Sequence, residues 1–562
     1  MRWRHLDKSL FVWVLLIGVL LVLVVNPLAR LLWASFEHGA TGAFTLDNYA
    51  AAYGRWRYLE ALWNSLVLGL AVAVLGTVFG VPMAWAVSRT DMPAKGLVWA
   101  AILGTFIVPS YLGAVAWILL AGPNAGWLNR LYVWLTGAAS GPLNIYSMAG
   151  LVLVIACYSF PYAFVFTRSA LDLISSEMEE AASTLGAGTL RTMLRVTLPL
   201  TLPAILGAFI VEFLEAIALF GAPALIALPA RFQVMTTMLW QFFEFPPKVQ
   251  VAAAYSMPLL AITVFLFWLQ RRIIARKGYV ALTGKGGERR LIRLGGWRWV
   301  MLGYCLFVTS LSFFLPMLVV LQAAFAKAWG RGFGLDNITP ENLRFVLIDQ
   351  PITRAATLHT FVYGGTAAAI ALGLGLSIAY IVHRRLVPLG GALAYIAMAP
   401  FVIPGIVLAI GFYAAYTTPP LVLYGGAWIL ILAFTTRFLP IAYANSDAAI
   451  RSLNPELEDA VRILGGGRLL AMRRVVGPLL KRGLAGAFIL VFIPATRELS
   501  SAIFLYTTGT QVLSVLLFDK SDEGNFEILS SIGLILVVIT VALVLAGFRL
   551  AGRDFMLKRT AS

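Results

Sequence analysis

Charge and metal-binding side chains are scarce in this chain. Only 12% of its 562 residues are Asp, Glu, Lys or Arg, against 60% hydrophobic residues, which excludes an ordinary soluble protein. The two cysteines, Cys157 and Cys305, lie far apart in apolar runs, so no disulfide framework or zinc spacing exists. The four histidines, His5, His38, His359 and His383, are scattered, and none pairs with another at metal-ligand spacing. Strand-length alternation is missing, which argues against a β-barrel. No nucleophile–base set, H-E-x-x-H or metal cluster supports a membrane-embedded enzyme.

What is present is a series of apolar runs near or above the roughly 20 residues that a bilayer-crossing helix needs. Twelve spans are predicted, at 10–33, 62–88, 97–121, 149–167, 198–222, 251–270, 299–324, 358–382, 391–416, 426–444, 479–503 and 527–549. The fold class is therefore all-α integral membrane. The run after MRWRHLDK is too long for an ordinary signal peptide and lacks a convincing cleavage site, so a retained anchor is expected. The net charge of +17 could suggest nucleic acid, but its distribution is that of an orientation signal. With both termini in the cytosol, 30 of the 43 Lys and Arg fall in cytosolic segments and 11 outside.

The chain repeats itself. EEAASTLGAG, Glu179 to Gly188, recurs as EDAVRILGGG, Glu458 to Gly467, at an offset of 279. NSLVLGLAVAV from Asn64 aligns with HTFVYGGTAAA from His359 at offset 295, as does the region of Pro109 with that of Pro404. TLDN, Thr45 to Asn48, echoes TPEN, Thr339 to Asn342. Each half has six spans, so the repeats are parallel. The expected division is a first half at 1–270, a basic cytosolic linker at 271–298 and a second half at 299–562. The linker holds nine basic residues and one acid and suits the anionic leaflet. Its TGKGG fails as a phosphate-binding loop, because the spacing is wrong and Gly286 replaces the Ser or Thr.

Both repeated polar segments should be short cytosolic helices, near 176–187 and 454–466. Ser176 with Glu179 has capping-box spacing, while Asn454 can cap with Pro455 at the first helical position. Gly186 and Gly465 should end them. The acidic first turns could meet basic groups on a partner, and small Ala181, Ala182 and Ala460 leave a low-relief face. The bland alternative is a pair of self-satisfied amphipathic connectors. Two copies on one side, at one offset, favour docking.

At these residues the chain resembles the permeases of binding-protein-dependent ABC importers. Glu180, Ala181, Ala182, Gly186, Val196, Leu198 and Pro199 match the family's signature loop. In the second copy Asp459, Val461 and Gly477 depart from it, while Ala460, Gly465, Val475 and Pro478 match. The TLDN/TPEN segments, RELSSAIFLYTTGTQVLSV from Arg497 and FGAPALI from Phe220 make it similar to fused two-half permeases of the ferric-iron type. The resemblance implies a type I importer fold in a bacterial inner membrane, with coupling helices that dock two ABC ATPase subunits. Glu179, Glu180, Ala181, Ala182, Gly186, Glu458, Asp459, Ala460 and Gly465 would carry that contact. It also implies a periplasmic or lipid-anchored binding protein, with ATP and Mg on the partner subunits and no cofactor on this chain. Iron(III) is the implied substrate; polyamine, phosphonate, thiamine and sulfate remain open.

Ionisable groups inside spans are costly and therefore suspects for function. Glu215, Arg497 and Glu498, with Asn64 and His359 at equivalent repeat positions, are the candidates for a translocation path. Glu212 and Arg437 also lie in spans, and interhelical pairing is the competing explanation for all such groups. A secondary transporter of two parallel six-helix halves is the alternative function. It would have no use for paired cytosolic docking helices.

Overall fold

Proline and the apolar runs decide where this chain stays helical and where it turns. A computed structural model describes residues 8–174, 176–244, 246–276, 291–332, 334–387 and 390–551. Among the described residues, ten helices have the length and hydropathy to cross a membrane unbroken: Phe11–Ser35, Trp56–Arg89, Met148–Leu173, Leu190–Ala218, Val249–Ile273, Trp297–Ala324, Pro351–His383, Ala427–Arg451, Met472–Thr496 and Phe526–Leu550. Two more runs are bent pairs, Lys95–Ile107 with Ser110–Ala121 at 104° and Gly390–Phe401 with Gly405–Tyr416 at 111°. In chain order these make spans one to twelve, the bent pairs being the third and ninth. The all-α membrane fold and the upper count of twelve agree with the sequence. Most of the basic linker, 277–290, lies outside the described residues, as do Arg2, Arg4 and the basic residues beyond 551.

The third and ninth spans, each predicted as one run, are broken at a proline. Val108, just before Pro109, takes an extended backbone (φ −75°, ψ 126°), the conformation that a following proline favours. Pro109 and Pro404 then start new helices, Ser110–Ala121 and Gly405–Tyr416. Pro161 and Pro440 stay inside continuous helices. Spans five and eleven stop at Ala218 and Thr496, sooner than expected, so Arg497 and Glu498 follow a helix end.

Proline also sets a second pattern. Five π-helical turns occur among the described residues, Leu21–Val25, Met193–Thr197, Ser310–Phe314, Phe345–Asp349 and Met472–Val476. Each ends two residues before a proline: Pro27, Pro199, Pro316, Pro351 or Pro478. A proline cannot donate to the turn before it, and in each case the residue ahead of it reaches back five residues, as Leu198 does to the Met193 carbonyl and Gly477 to that of Met472.

Spans two, four and five form one packed group, and eight, ten and eleven the other. Glycine sets the closest crossings. A Cβ on Gly80 would lie 2.6 Å from the Phe160 carbonyl oxygen, and one on Gly375 would lie 2.8 Å from the Tyr443 nitrogen. The halves also exchange arms. Span one packs on the second half's ninth span, where the Tyr416 hydroxyl donates to the Val22 carbonyl and a Gly411 Cβ would lie 2.7 Å from the Pro27 carbonyl oxygen. Span seven packs on the first half's bent third span, with Thr105 Oγ1 and Ser312 Oγ 3.1 Å apart. The boundary at 270 therefore divides the chain in sequence, while each half's first helix lies on the other half.

Candidate functional site

Two places combine repeat symmetry with polar chemistry: the end of the bundle carrying the motif helices, and a cavity between the halves.

The motif helices are Ser176–Thr184 and Glu456–Ile463. Span two ends at Arg89, whose Nη2 donates to the carbonyls of Leu171 and Ile174 at 2.6 and 2.8 Å. Its Nη1 lies 3.6 Å from Glu179 Oε2, while Thr197 Oγ1 donates to Glu179 Oε1 at 2.7 Å. The second half repeats this device. Arg384, just past span eight, donates through Nε and Nη2 to Glu458 Oε1 at 2.9 and 2.6 Å, and the Tyr380 hydroxyl donates to Oε2 at 2.7 Å. Arg89 and Arg384 are 295 residues apart, the offset of the span alignment; Glu179 and Glu458 are 279 apart, that of the motif. These two glutamates were expected to face a partner. Each is instead held by an arginine of its own half, fixing the motif helix to the bundle.

The other motif residues do face outward. Glu180, Ala181, Asp459 and Ala460 are exposed and Ala182 is half-buried. Asn454 Oδ1 accepts from the Glu456 backbone N–H at 3.1 Å, whereas the proposed Ser176 cap falls on a side chain outside the described residues. Gly186 and Gly465 stand at φ +81° and +80°, a conformation glycine tolerates best. The N–H of the residue after each glycine reaches back to Ala182 or Val461 at 3.0 and 2.9 Å, closing a Schellman turn. Just before the glycines, Leu185, Ile463 and Leu464 are 89%, 85% and 87% exposed. The sequence reading missed these tips. The signal was there, since Leu185 and Leu464 occupy one repeat position.

The cavity lies between the bends at Pro109 and Pro404 and has a volume of about 490 Å³. Glu215, Arg437, Arg497 and Glu498 all line it. Arg437 Nη1 donates to the Ile403 carbonyl at 2.6 Å, holding the ninth-span bend. Arg497 Nη1 crosses between halves to the carbonyls of Phe106 and Ile107 at 2.8 and 2.9 Å, holding the third-span bend. Both caps meet carbonyls that a helix end leaves without a helical partner. Glu498 Oε1 accepts from the Ser501 N–H and hydroxyl at 3.0 and 3.1 Å.

Asn64 and His359 are not on this cavity. Asn64 Nδ2 donates to the Gln233 carbonyl at 2.9 Å, and His359 Nδ1 lies 2.9 Å from that of Gln511. Their neighbours Ser65 and Thr360 accept from the N–H groups of Met235 and Leu513 at 2.7 and 2.9 Å. Each pair thus staples a following segment to span two or eight. Glu212 is also a staple, its carboxylate reached at 3.3 Å by both Thr77 Oγ1 and the Ala163 N–H.

Two like halves of membrane helices, each carrying a tethered motif helix at one end and together bounding a cavity that four charged side chains line, have the make-up of a transport permease. Residues 76–279 match the family described as binding-protein-dependent transport system inner membrane component. The matched segment belongs to that family, and the repeat offsets place a second like half on the same polypeptide. The chain is 24% identical over 538 residues to the ferric transport system permease protein FbpB of Actinobacillus pleuropneumoniae, covering 93% of this chain and 75% of that one. It is also 24% identical over 575 residues to the probable ABC transporter permease protein y4fN of Sinorhizobium fredii, covering 98% of each. A bacterial ABC transporter involved in the import of the acidic polysaccharide alginate superimposes on 48% of this chain and 98% of its own, at 17% identity and a TM-score of 0.39.

Proposed function

We propose that this permease couples ATP hydrolysis on two separate ATPase subunits to inward movement of a small solute delivered by an extracytoplasmic binding protein. The observation that carries the reading is the doubled motif helix, tied to the bundle by Arg89–Glu179 and Arg384–Glu458 and ending in exposed leucines. A solvated apolar tip on a fixed polar helix is a surface made for a partner. The cytosolic side for this end, and for both termini, follows from the Lys and Arg bias. Glu180, Ala181, Ala182, Gly186, Asp459, Ala460 and Gly465 surround the contact, with Glu179 and Glu458 acting from beneath it. Full-length relatives described as ferric transport permeases favour iron(III) as the solute. Relatives of about half the length described as putative 2-aminoethylphosphonate permeases keep a phosphonate in view.

The test is co-purification of the chain with candidate ABC ATPase subunits. Leu185→Asp with Leu464→Asp should abolish association while leaving the permease monodisperse. Unchanged association would remove the docking assignment. Radio-iron uptake in cells carrying the complete system, lost when this permease is deleted, would support iron; unaltered uptake would exclude it.

A further inference from the structure

Several devices of this molecule are kept in both halves, but the charges of the central cavity are not. The tethers, the bends, the glycine crossings and the staples at Ser65 and Thr360 all recur in both halves. The four cavity charges do not recur. At the motif offset Glu215 stands opposite Pro494, Arg437 opposite Tyr158, Arg497 opposite Ala218 and Glu498 opposite Leu219. Docking two like ATPases calls for equal halves. Recognising a single solute that lacks two-fold symmetry calls for unequal ones.

The chemistry of the lining is also incomplete. None of the four charges forms an ion pair within 4 Å among the described residues, and Glu215 has no hydrogen-bond partner among them either. Arg437 and Arg497 each use one Nη1 on backbone carbonyls, and a guanidinium has five N–H donors. The hydroxyls of Tyr111, Tyr158 and Ser159 find no protein partner, although these residues are only 4%, 8% and 2% exposed and line the same space. Buried hydroxyls are costly unless something completes them, and the Glu215 carboxylate stands exposed within the cavity, open to a ligand. A volume of about 490 Å³ falls within the range of small-molecule sites.

The geometry points to a solute site in this cavity for a small dipolar molecule, its anionic pole toward Arg437 and Arg497 and its cationic pole toward Glu215. This rests on the permease reading and narrows its substrate class. No group of three His, Cys, Asp or Glu side chains is placed to hold a metal among the described residues. A hard cation carried with its own oxyanion ligand would share the two-pole character of an organic zwitterion.

The test uses the full-length chain in nanodiscs of phosphatidylethanolamine and phosphatidylglycerol, titrated calorimetrically. 2-Aminoethylphosphonate serves as the organic dipole and Fe(III) pyrophosphate as the metal–oxyanion dipole; ethylphosphonate and ethylamine each carry one pole. One dipole should bind at least about tenfold more tightly than either single-pole compound, and which one does so identifies the source. Glu215→Gln, nearly the same shape, should weaken that dipole by about tenfold or more and leave ethylphosphonate unaffected. Tyr158→Phe should give a smaller loss in a monodisperse protein. Equal binding of single-pole and dipolar compounds, an unchanged affinity in Glu215→Gln, or no binding of either dipole at millimolar concentration overturns the assignment. Such a failure leaves ATPase association through Leu185 and Leu464 untouched, so it is separable from failure of the permease reading.

Discussion

At the scale of single residues, the most telling difference between motif and structure concerns Glu179 and Glu458. Their spacing marks them as part of a docking helix, and that helix is present. Their carboxylates, though, turn inward to arginines that the sequence places about 75 to 90 residues earlier. The pairing was not legible because nothing in one chain says which of several basic residues a span end will bring close. For Arg384→Ala, a half-buried glutamate loses two charged hydrogen bonds, a loss of about 1–3 kcal/mol. The variant should unfold at lower temperature in detergent. Glu458→Gln in the same background should recover part of the loss, because the unpaired charge is gone. If Arg384→Ala melts like the parent, the tether contributes nothing.

At the scale of elements, apolar periodicity located twelve runs but could not tell a straight span from a bent one. Pro109 and Pro404 break their helices, whereas Pro161 and Pro440, equally visible in the sequence, do not. The difference lies in tertiary partners: Arg497 and Arg437 cap the carbonyls that the two breaks release. Glycine crossings were likewise invisible until both helices could be seen. Gly80→Leu or Gly375→Leu drives a side chain into neighbouring backbone, and overpacking of this kind costs about 1–3 kcal/mol or more. Each should sharply reduce the monodisperse fraction in size-exclusion chromatography. Gly373→Leu is the control, since nothing lies within 4 Å of its added Cβ and its yield should match the parent. Loss in all three would point to a general intolerance of bulk in these spans.

At the scale of the whole molecule, the parallel repeat and its two offsets were plain in the sequence, while the exchange of first helices was not. Repeat alignment reports which residues are equivalent and is silent on which copy each one touches. If the chain is cut between Lys277 and Arg290 and the pieces are co-expressed, they should co-purify through the exchanged spans. Pieces made in separate cells and mixed afterwards should not combine. Efficient recombination on mixing would mean that each half completes its own fold first. The exchange also bears on how the protein is made. Val22 and Tyr416, joined through the Tyr416 hydroxyl, are 394 residues apart. At about 5–20 residues per second, the first span waits in the lipid for roughly 20–80 seconds before its seat has been synthesised. During that interval it must neither leave the bilayer nor settle on the wrong helices, so a span made early is placed late.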